Sequence, residues 1–285
     1  MPLYRLDEPL DLDAPVLVAA LDGWVDAGGA GTAAAEQLTN GGRVVATFDA
    51  DAVFDYRVRR PTLDILDGRL VGTEWPELRI WASQIGGRDL LVLTGPEPDF
   101  RWAELAADVA ELAGRLGVAS WASLGSIPAG VAHTRPVPVL GTSSAQGLLP
   151  KGLTQGPAGQ MRVPSAALSV LELAVSRSGI PAVGFFAQVP HYVSGAYPMA
   201  AVELLRWLGR YLDVDLPTGR LGAKALETRA LLDAATAAND ETRNYMEQLE
   251  KLADEEKLPS GDELIADIEH FLRRRGGDEG GGRLN

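Results

Sequence analysis

Residues 15–38 read PVLVAALDGWVDAGGAGTAAAEQL, and the order of properties along them decides the fold. The run up to Leu21 is apolar without alternation, as a strand buried on both faces must be. Asp22 and Asp26 then flank Trp24, and small residues from Gly28 onward open a helix. Strand, short turn and helix in that order begin a unit of a helix-covered sheet, and ligands of open α/β sheets bind beyond the carboxyl ends of the strands. The turn collects backbone N–H groups and two carboxylates at that edge. Asp22, Gly23, Trp24, Asp26, Gly28 and Gly29 are therefore the first ligand-binding candidates. Gly29-x-Gly31-x-x-Ala34 also mimics a dinucleotide fingerprint, with Asp49 twenty residues beyond Gly29. However, the fingerprint places its first glycine at the tight turn itself, and here Asp22 to Ala27 separate the strand end from the glycines. The competing reading is that the small residues let the helix pack closely on the sheet. No cofactor is expected.

The same alternation of apolar runs and helical periodicity continues outward, so the class is α/β with a largely parallel sheet covered by helices on both faces. Strands are expected at 16–21, 44–48, 79–83, 90–94, 118–123, 136–140 and 182–189. A helix over 99–116 places Trp102, Leu105, Val109, Leu112 and Leu116 on one stripe and ends at Gly117. Another, over 165–178, has Ser165 as N-cap, Gly179 at its end and Pro181 beyond. Residues 56–75, YRVRRPTLDILDGRLVGTEW, hold two β-like runs around Asp67-Gly68, a hairpin signal. With Arg57, Arg59 and Arg60 at its root, this hairpin belongs at the edge of the core, where such elements usually pair with another subunit.

After Pro217 the composition shifts to charged amphipathic segments at 224–238, 240–257 and 262–275. In the last, Ser260 and Glu263 form a capping box ahead of a stripe of Leu264, Ile265, Ile268, Phe271 and Leu272. The expected organisation is a core over 1–217 with a hairpin insertion near 55–75, a helical extension over 218–275 and a disordered tail over 276–285.

Two further stretches could carry chemistry. Residues 118–134, VASWASLGSIPAGVAHT, contain no Asp, Glu, Lys or Arg, which points to a buried strand with Gly125-Ser126 turning at its carboxyl end. Ser126 could bind or attack a substrate, with His133 as its partner, but the Gly-x-Ser-x-Gly elbow is absent. A hydroxyl that satisfies local backbone is the competing reading. In residues 185–205, FFAQVPHYVSGAYPMAAVELL, His191 and Tyr192 follow a strand end and a helix starts near Pro198. His191 is the best general acid/base candidate of the three imidazoles, although Pro190 beside an aromatic pair also suits a fixed loop. Glu203 faces either that cleft or solvent, and His270 belongs to a charged terminal helix.

Composition narrows the field. Of 285 residues, 26 are Lys or Arg and 39 are Asp or Glu, for a net charge of −13. An acidic surface without a basic stripe repels nucleic-acid phosphates and anionic lipids, so neither nucleic acid nor membrane is expected as a partner. The chain has no Cys, which removes disulfides, zinc-thiolate sites and thiol nucleophiles, and no metal site is expected. The polar, acidic beginning lacks the basic and apolar regions of a signal peptide, so the expected location is cytoplasmic.

Four segments, DGWVDAGGA, GPEPDFRW, LGSIPAG and VPHYVSGAYPMAA, occur in an order that resembles the proteasome assembly chaperone two family, specifically its bacterial branch with a C-terminal helical extension. The resemblance implies a three-layer α/β/α core similar to purine nucleoside phosphorylases and peptidyl-tRNA hydrolases. It also implies a hairpin used in oligomer contacts, a helical lid over a ligand pocket, and a homo-oligomer that is commonly a trimer. Eukaryotic relatives act as proteasome assembly chaperones, and no activity is established for the bacterial branch. Two readings stay open. One is a non-catalytic, oligomeric, chaperone-like protein that binds a protein partner such as the proteasome, or an unknown small molecule. The other is a small-molecule hydrolase or phosphorylase using a cleft formed by Asp22, Trp24, Asp26, Ser126 and His191, with Gly125 and Tyr192 as further ligand-binding candidates.

Overall fold

Six of the seven apolar runs become strands largely where expected, while the one expected at 136–140 becomes strand only from Val139; the central strands are buried from both sides for a reason visible in β2. The computed structural model describes residues 2–7, 10–157 and 159–254. The chain runs β1 (Tyr4–Leu6), β2 (Val16–Asp22), α1 (Ala30–Thr39), β3 (Arg43–Phe48), α2 (Ala50–Val53), β4 (Thr62–Leu66), β5 (Arg69–Glu74), β6 (Arg79–Ile85) and β7 (Arg88–Pro96). It continues through α3 (Trp102–Arg115), β8 (Ser120–Ala129), β9 (Val139–Ser143), β10 (Thr154–Gln155), α4 (Ala167–Arg177), β11 (Ala182–Pro190), α5 (Pro198–Leu212), α6 (Leu221–Ala237) and α7 (Asp240–Asp254). In β2, Leu17, Ala19 and Leu21 enter a core shared with Leu105, Val109 and Leu112 of α3 and Leu168 and Leu171 of α4. Val18 and Ala20 point the other way, into a core shared with Ala34 and Leu38 of α1 and Leu204 and Leu208 of α5. Both faces are apolar because both are covered, and each fully buried Leu or Val adds roughly 1.5–3 kcal/mol.

The sheet has nine strands in the order β1-β3-β6-β7-β2-β8-β11-β9-β10 among the described residues. Its centre is parallel, β7, β2, β8 and β11 running together. Its flanks are not: β6 is antiparallel to both β7 and β3, β1 to β3, and β9 to β11. The expected largely parallel sheet is therefore mixed. The reversal at β6 is made by Gly86 and Gly87, both at positive φ (60° and 77°), as a two-residue hairpin turn requires.

The Asp67-Gly68 hairpin forms as expected, with β4 paired to β5 in a separate two-stranded sheet. Every residue of both strands is exposed. The pairings Leu63↔Thr73 and Ile65↔Leu70 place Leu63, Ile65 and Leu70 on one face, where they are 47%, 61% and 71% exposed. At the root, Tyr56 and Trp75 meet edge to face with ring centroids 4.8 Å apart, and Arg57 is held by Asp55.

Helix α6 packs along α5, and α7 turns back to meet the loops that leave β8 and β11, through Ala132 and Tyr192 against Met246 and Leu249. The expected helix at 262–275, with His270, and the expected tail at 276–285 lie outside the described residues. Among the described residues no helix is long and apolar enough to cross a membrane.

Candidate functional site

The carboxyl edge of β2 is closed by the chain's own groups. Beyond Asp22, whose carbonyl accepts the Glu97 N–H (2.8 Å), the backbone folds across to β8, where the Ser126 N–H donates to the Val25 carbonyl (2.7 Å) and Asp26 bridges Ser126. The Asp26 carboxylate accepts the N–H groups of Gly31 (2.7 Å) and Thr32 (3.3 Å) and the Thr32 hydroxyl. Burial raises its pKa, opposed by those hydrogen bonds and reinforced by Asp22. A helix start that would hold a phosphate in a nucleotide-binding fold thus holds Asp26. Gly31 has no space for a ligand, since an added Cβ would lie 2.7 Å from the Leu124 carbonyl oxygen. Of the two fingerprint-like glycines, Gly31 is a packing glycine, while Gly29 has nothing within 4 Å of an added Cβ and serves the turn through its positive φ of 60°.

Gly125 and Ser126 lie inside β8, not in a turn after it as the sequence suggested. Pairing with β11 through Phe186↔Gly125 and Ala187↔Ser126 keeps the strand going, and Gly125 lets the Phe186 ring approach to 2.7 Å of where a Cβ would stand. The Ser126 hydroxyl donates to the Ala27 carbonyl (2.7 Å) and is fully buried, with no bond to His133. Replacing Asp26 by Ala is expected to lower stability by about 1–2 kcal/mol, the usual cost of losing a helix-start acceptor, read as a drop in thermal midpoint. Asp26→Asn, which keeps one acceptor, should lose less.

A second carboxylate repeats the device. Glu97, after β7, accepts the Trp24 N–H with Oε2 (2.9 Å) and the Ala167 N–H at the start of α4 with Oε1 (2.7 Å). It thereby takes the role expected of Ser165, and α4 starts two residues later than expected, at Ala167. Gly23 lies against the Glu97 side chain, where an added Cβ would collide, and Trp24 stays 43% exposed.

The imidazoles form a different cluster, beyond β8 and β11. His133 is buried; its backbone N–H donates to the Tyr192 hydroxyl (2.8 Å), and its Nδ1 lies 2.8 Å from the same oxygen. The same hydroxyl donates to Met246 Sδ (3.5 Å), and His133 Nε2 stands 3.2 Å from Asp233 Oδ1, in ion-pair range though out of line for a hydrogen bond. Burial lowers the His133 pKa, with Asp233 and Glu250 pulling upward and Arg229 downward. Burial likewise pushes Tyr192 up to about 12. His191 sits directly after β11: its Nδ1 is 3.1 Å from the Ala129 carbonyl and its Nε2 3.0 Å from the Tyr245 hydroxyl of α7. Arg229 donates to the His133 carbonyl (2.8 Å) and Thr134 to Glu250. The two histidine-bearing loops thus hold α7 and the middle of α6, in addition to the packing of α6 on α5. Glu203 turns to Arg206 (2.7 Å).

The structure accordingly brings Asp26, Gly28, Gly31 and Ser126 into one knot and His133, His191 and Tyr192 into another. Tyr197 closes on the first knot, its N–H donating to the Gly28 carbonyl (2.9 Å). Asp22, Gly23 and Trp24 belong with Glu97. Sequence reasoning missed Glu97, Thr32, Asp233 and Met246. Glu97 stood within the recognised GPEPDFRW segment, while Asp233 and Met246 meet His133 and Tyr192 only through the tertiary fold. Beside Tyr192 opens a groove of about 800 Å³ between α6 and α7, with Leu232, Tyr245, Met246 and Glu241 among its lining. Among the described residues no cluster of His, Asp or Glu is arranged to hold a metal ion.

The His133 geometry predicts a pH dependence. An unfolded histidine titrates near 6.5, and the folded one lower, so on acidification the unfolded chain takes its proton first. Stability should fall as pH drops below about 6.5 and level off once folded His133 is protonated. Asp26 and Glu172, both raised by burial, act with the opposite sign at lower pH. The decisive reading is therefore the difference between wild type and His133→Gln in denaturant melts at pH 7.5 and 6.0. The variant should show the smaller loss, and equal losses would contradict the assignment.

A family model described as PAC2 matches residues 20–236, from within β2 through nearly all of α6. The chain belongs to the PAC2 family. Among solved structures, it is similar to a Mycobacterium tuberculosis protein of unknown function (33% identity, 88% of each chain covered, TM-score 0.81). It is also similar to a PAC2 family protein from Streptomyces avermitilis (34% identity, 81% of this chain and 99% of that one, TM-score 0.73). A Mycobacterium tuberculosis proteasome-assembly chaperone homologue matches with 33% identity over 81% of this chain and 99% of its own, TM-score 0.73. Among curated proteins none matches the sequence significantly. In this PAC2 protein, the matched span takes in the Asp26 knot, both described histidines and Asp233, while Tyr245, Met246 and Glu250 lie beyond it.

Proposed function

We propose that this PAC2 protein is a non-catalytic, homo-oligomeric, chaperone-like protein that works by docking onto protein surfaces, its hairpin making the contacts between subunits. The observation that carries this reading is the bare apolar face of Leu63, Ile65 and Leu70 on a hairpin whose every residue is exposed. An isolated two-stranded hairpin is marginal in water, and an apolar patch of a few hundred Å² on a projecting element marks an interaction site. A trimer is the assembly that the family resemblance favours. The proteasome is the partner to test first, because one of the similar structures is described as a proteasome-assembly chaperone homologue. Affinity capture of the tagged full chain from its native cells should enrich proteasome subunits, and the same capture with Leu63, Ile65 and Leu70 replaced by Asp serves as the control. Equal recovery of background proteins in both, with no proteasome subunits, contradicts the partner assignment.

The other reading is a small-molecule hydrolase or phosphorylase, which a core similar to purine nucleoside phosphorylases would suggest. It has less support from this geometry. The N-termini of α1 and α4 are occupied by the carboxylates of Asp26 and Glu97, which repel anionic substrates, and the Ser126 hydroxyl is committed to a carbonyl.

A further inference from the structure

We infer that α7 is an acid-released clasp: a proton taken up at His133 frees α7 from the loops beyond β8 and β11 while the sheet and its two cores stay folded. The inference does not depend on how subunits assemble. Its first support is the attachment of α7. Two large cores join the sheet to α1, α3, α4, α5 and the packed side of α6, but the buried side chains of α7, Met246 and Leu249, belong to neither. They form a small cluster of their own with Ala132 and Tyr192. Two polar contacts supplement it, Thr134 donating to Glu250 and the Tyr245 hydroxyl lying 3.0 Å from His191 Nε2. A helix held by so little apolar contact belongs to the least stable units of a fold.

The second support is His133, which the docked arm seals. The residue is 1% exposed; Nδ1 faces the Tyr192 hydroxyl (2.8 Å), whereas Nε2 has no hydrogen-bond partner among the described residues. Asp233 of α6 stands 3.2 Å from Nε2, but both its oxygens already accept from Arg229 Nε (3.0 Å each). Arg229 itself is a cation bonded to the His133 carbonyl, and Glu250 of α7 is engaged by Thr134. Arg135 follows on the same loop, and the His191 and Tyr245 rings lie beyond Tyr192. An imidazolium has two N–H groups to satisfy, and here one would be shut away from water without an aligned acceptor, near a cation. Burial of a charge so poorly paired is costly. Lifting α7, whose Glu250 and Met246 bond to Thr134 and Tyr192 on either side of the ring, lets water reach it. The released state then takes the proton near the ordinary value of 6.5 and the docked state only at lower pH, so acid shifts the population toward release. Asp26 and Glu172, raised by burial, lie in parts that both states keep folded and drop out. Release bares Ala132, Tyr192, Met246 and Leu249, an apolar surface hidden at neutral pH.

Hydrogen exchange of the full chain at pH 7.5 and 5.5, corrected for the intrinsic rate at each pH, tests this. The opening of α7 (240–254) should increase by up to about tenfold at pH 5.5, with α1 and α3 unchanged. His133→Gln should abolish the increase. Glu250→Gln should keep it, since the proton goes to the imidazole and not to that carboxylate. Should His133→Gln fail to fold, the wild-type His133 ring resonances decide, because their titration must follow the release of α7. Equal corrected exchange at the two pH values, an increase that survives in His133→Gln or vanishes in Glu250→Gln, α1 and α3 opening in step with α7, or a ring titration unrelated to α7 each overturns the inference.

Discussion

For the hairpin-joined oligomer proposed above, replacing Ile65 and Leu70 together by Asp is expected to leave a monomer with an unchanged far-ultraviolet circular dichroism spectrum. Both side chains are more than half exposed within the chain, so the fold loses almost no burial. In an interface, each large aliphatic contributes about 1.5–3 kcal/mol of transfer energy, and an unpaired carboxylate in its place adds a further desolvation cost. Losing even 3 kcal/mol at each contact weakens association by a factor on the order of 10², and the two changes together exceed that. Light scattering at micromolar concentration reads the outcome as a fall in mass to that of one chain. An unchanged mass would mean that the subunits meet elsewhere.

The second large effect is expected at Gly28. Its φ is +63°, and an added Cβ would lie 2.7 Å from Tyr197 Cβ and 3.2 Å from Tyr197 N. An alanine there meets both the left-handed backbone penalty, roughly 1–2 kcal/mol, and overpacking of roughly 1–3 kcal/mol. Gly28→Ala should therefore lose about 2–5 kcal/mol, a large part of the roughly 5–15 kcal/mol that holds a typical protein folded. Gly29 is the control: its φ is +60°, but nothing lies within 4 Å of its added Cβ. Gly29→Ala should show the backbone cost alone, and equal losses at the two positions in denaturant melts would refute the close packing of Tyr197 on this turn.

These two glycines show where sequence reasoning reaches and where it stops. The strands were legible because burial on both faces erases alternation, and β2 displays the cause, its side chains passing alternately into two cores. The hairpin was legible because Asp67-Gly68 is local turn chemistry, and α3 because its apolar stripe and Gly117 agree. The mixed character of the sheet had a signal that periodicity does not weigh, the Gly86-Gly87 pair. The extension of β8 through Gly125-Ser126 had none: glycine and serine spell a turn, and only the pairing with β11, together with the Val25 carbonyl, both far away in sequence, makes them strand. The same holds for the site. That Asp22 to Gly29 form the turn after β2 follows from local order, but that Asp26 fills its own helix start requires the fold. His133 is a lone imidazole in an uncharged loop, and nothing nearby in sequence announces Asp233, Glu250 or Met246.

Hydrogen exchange of residues 62–74 in the assembled protein tests the central claim most directly. A hairpin with all its residues exposed exchanges its amides almost freely on its own. Seated against another subunit, its amides should be protected to the degree of the assembly itself, with protection lost in the Ile65→Asp, Leu70→Asp variant. Free exchange across 62–74 in protein that light scattering shows to be assembled would contradict the account.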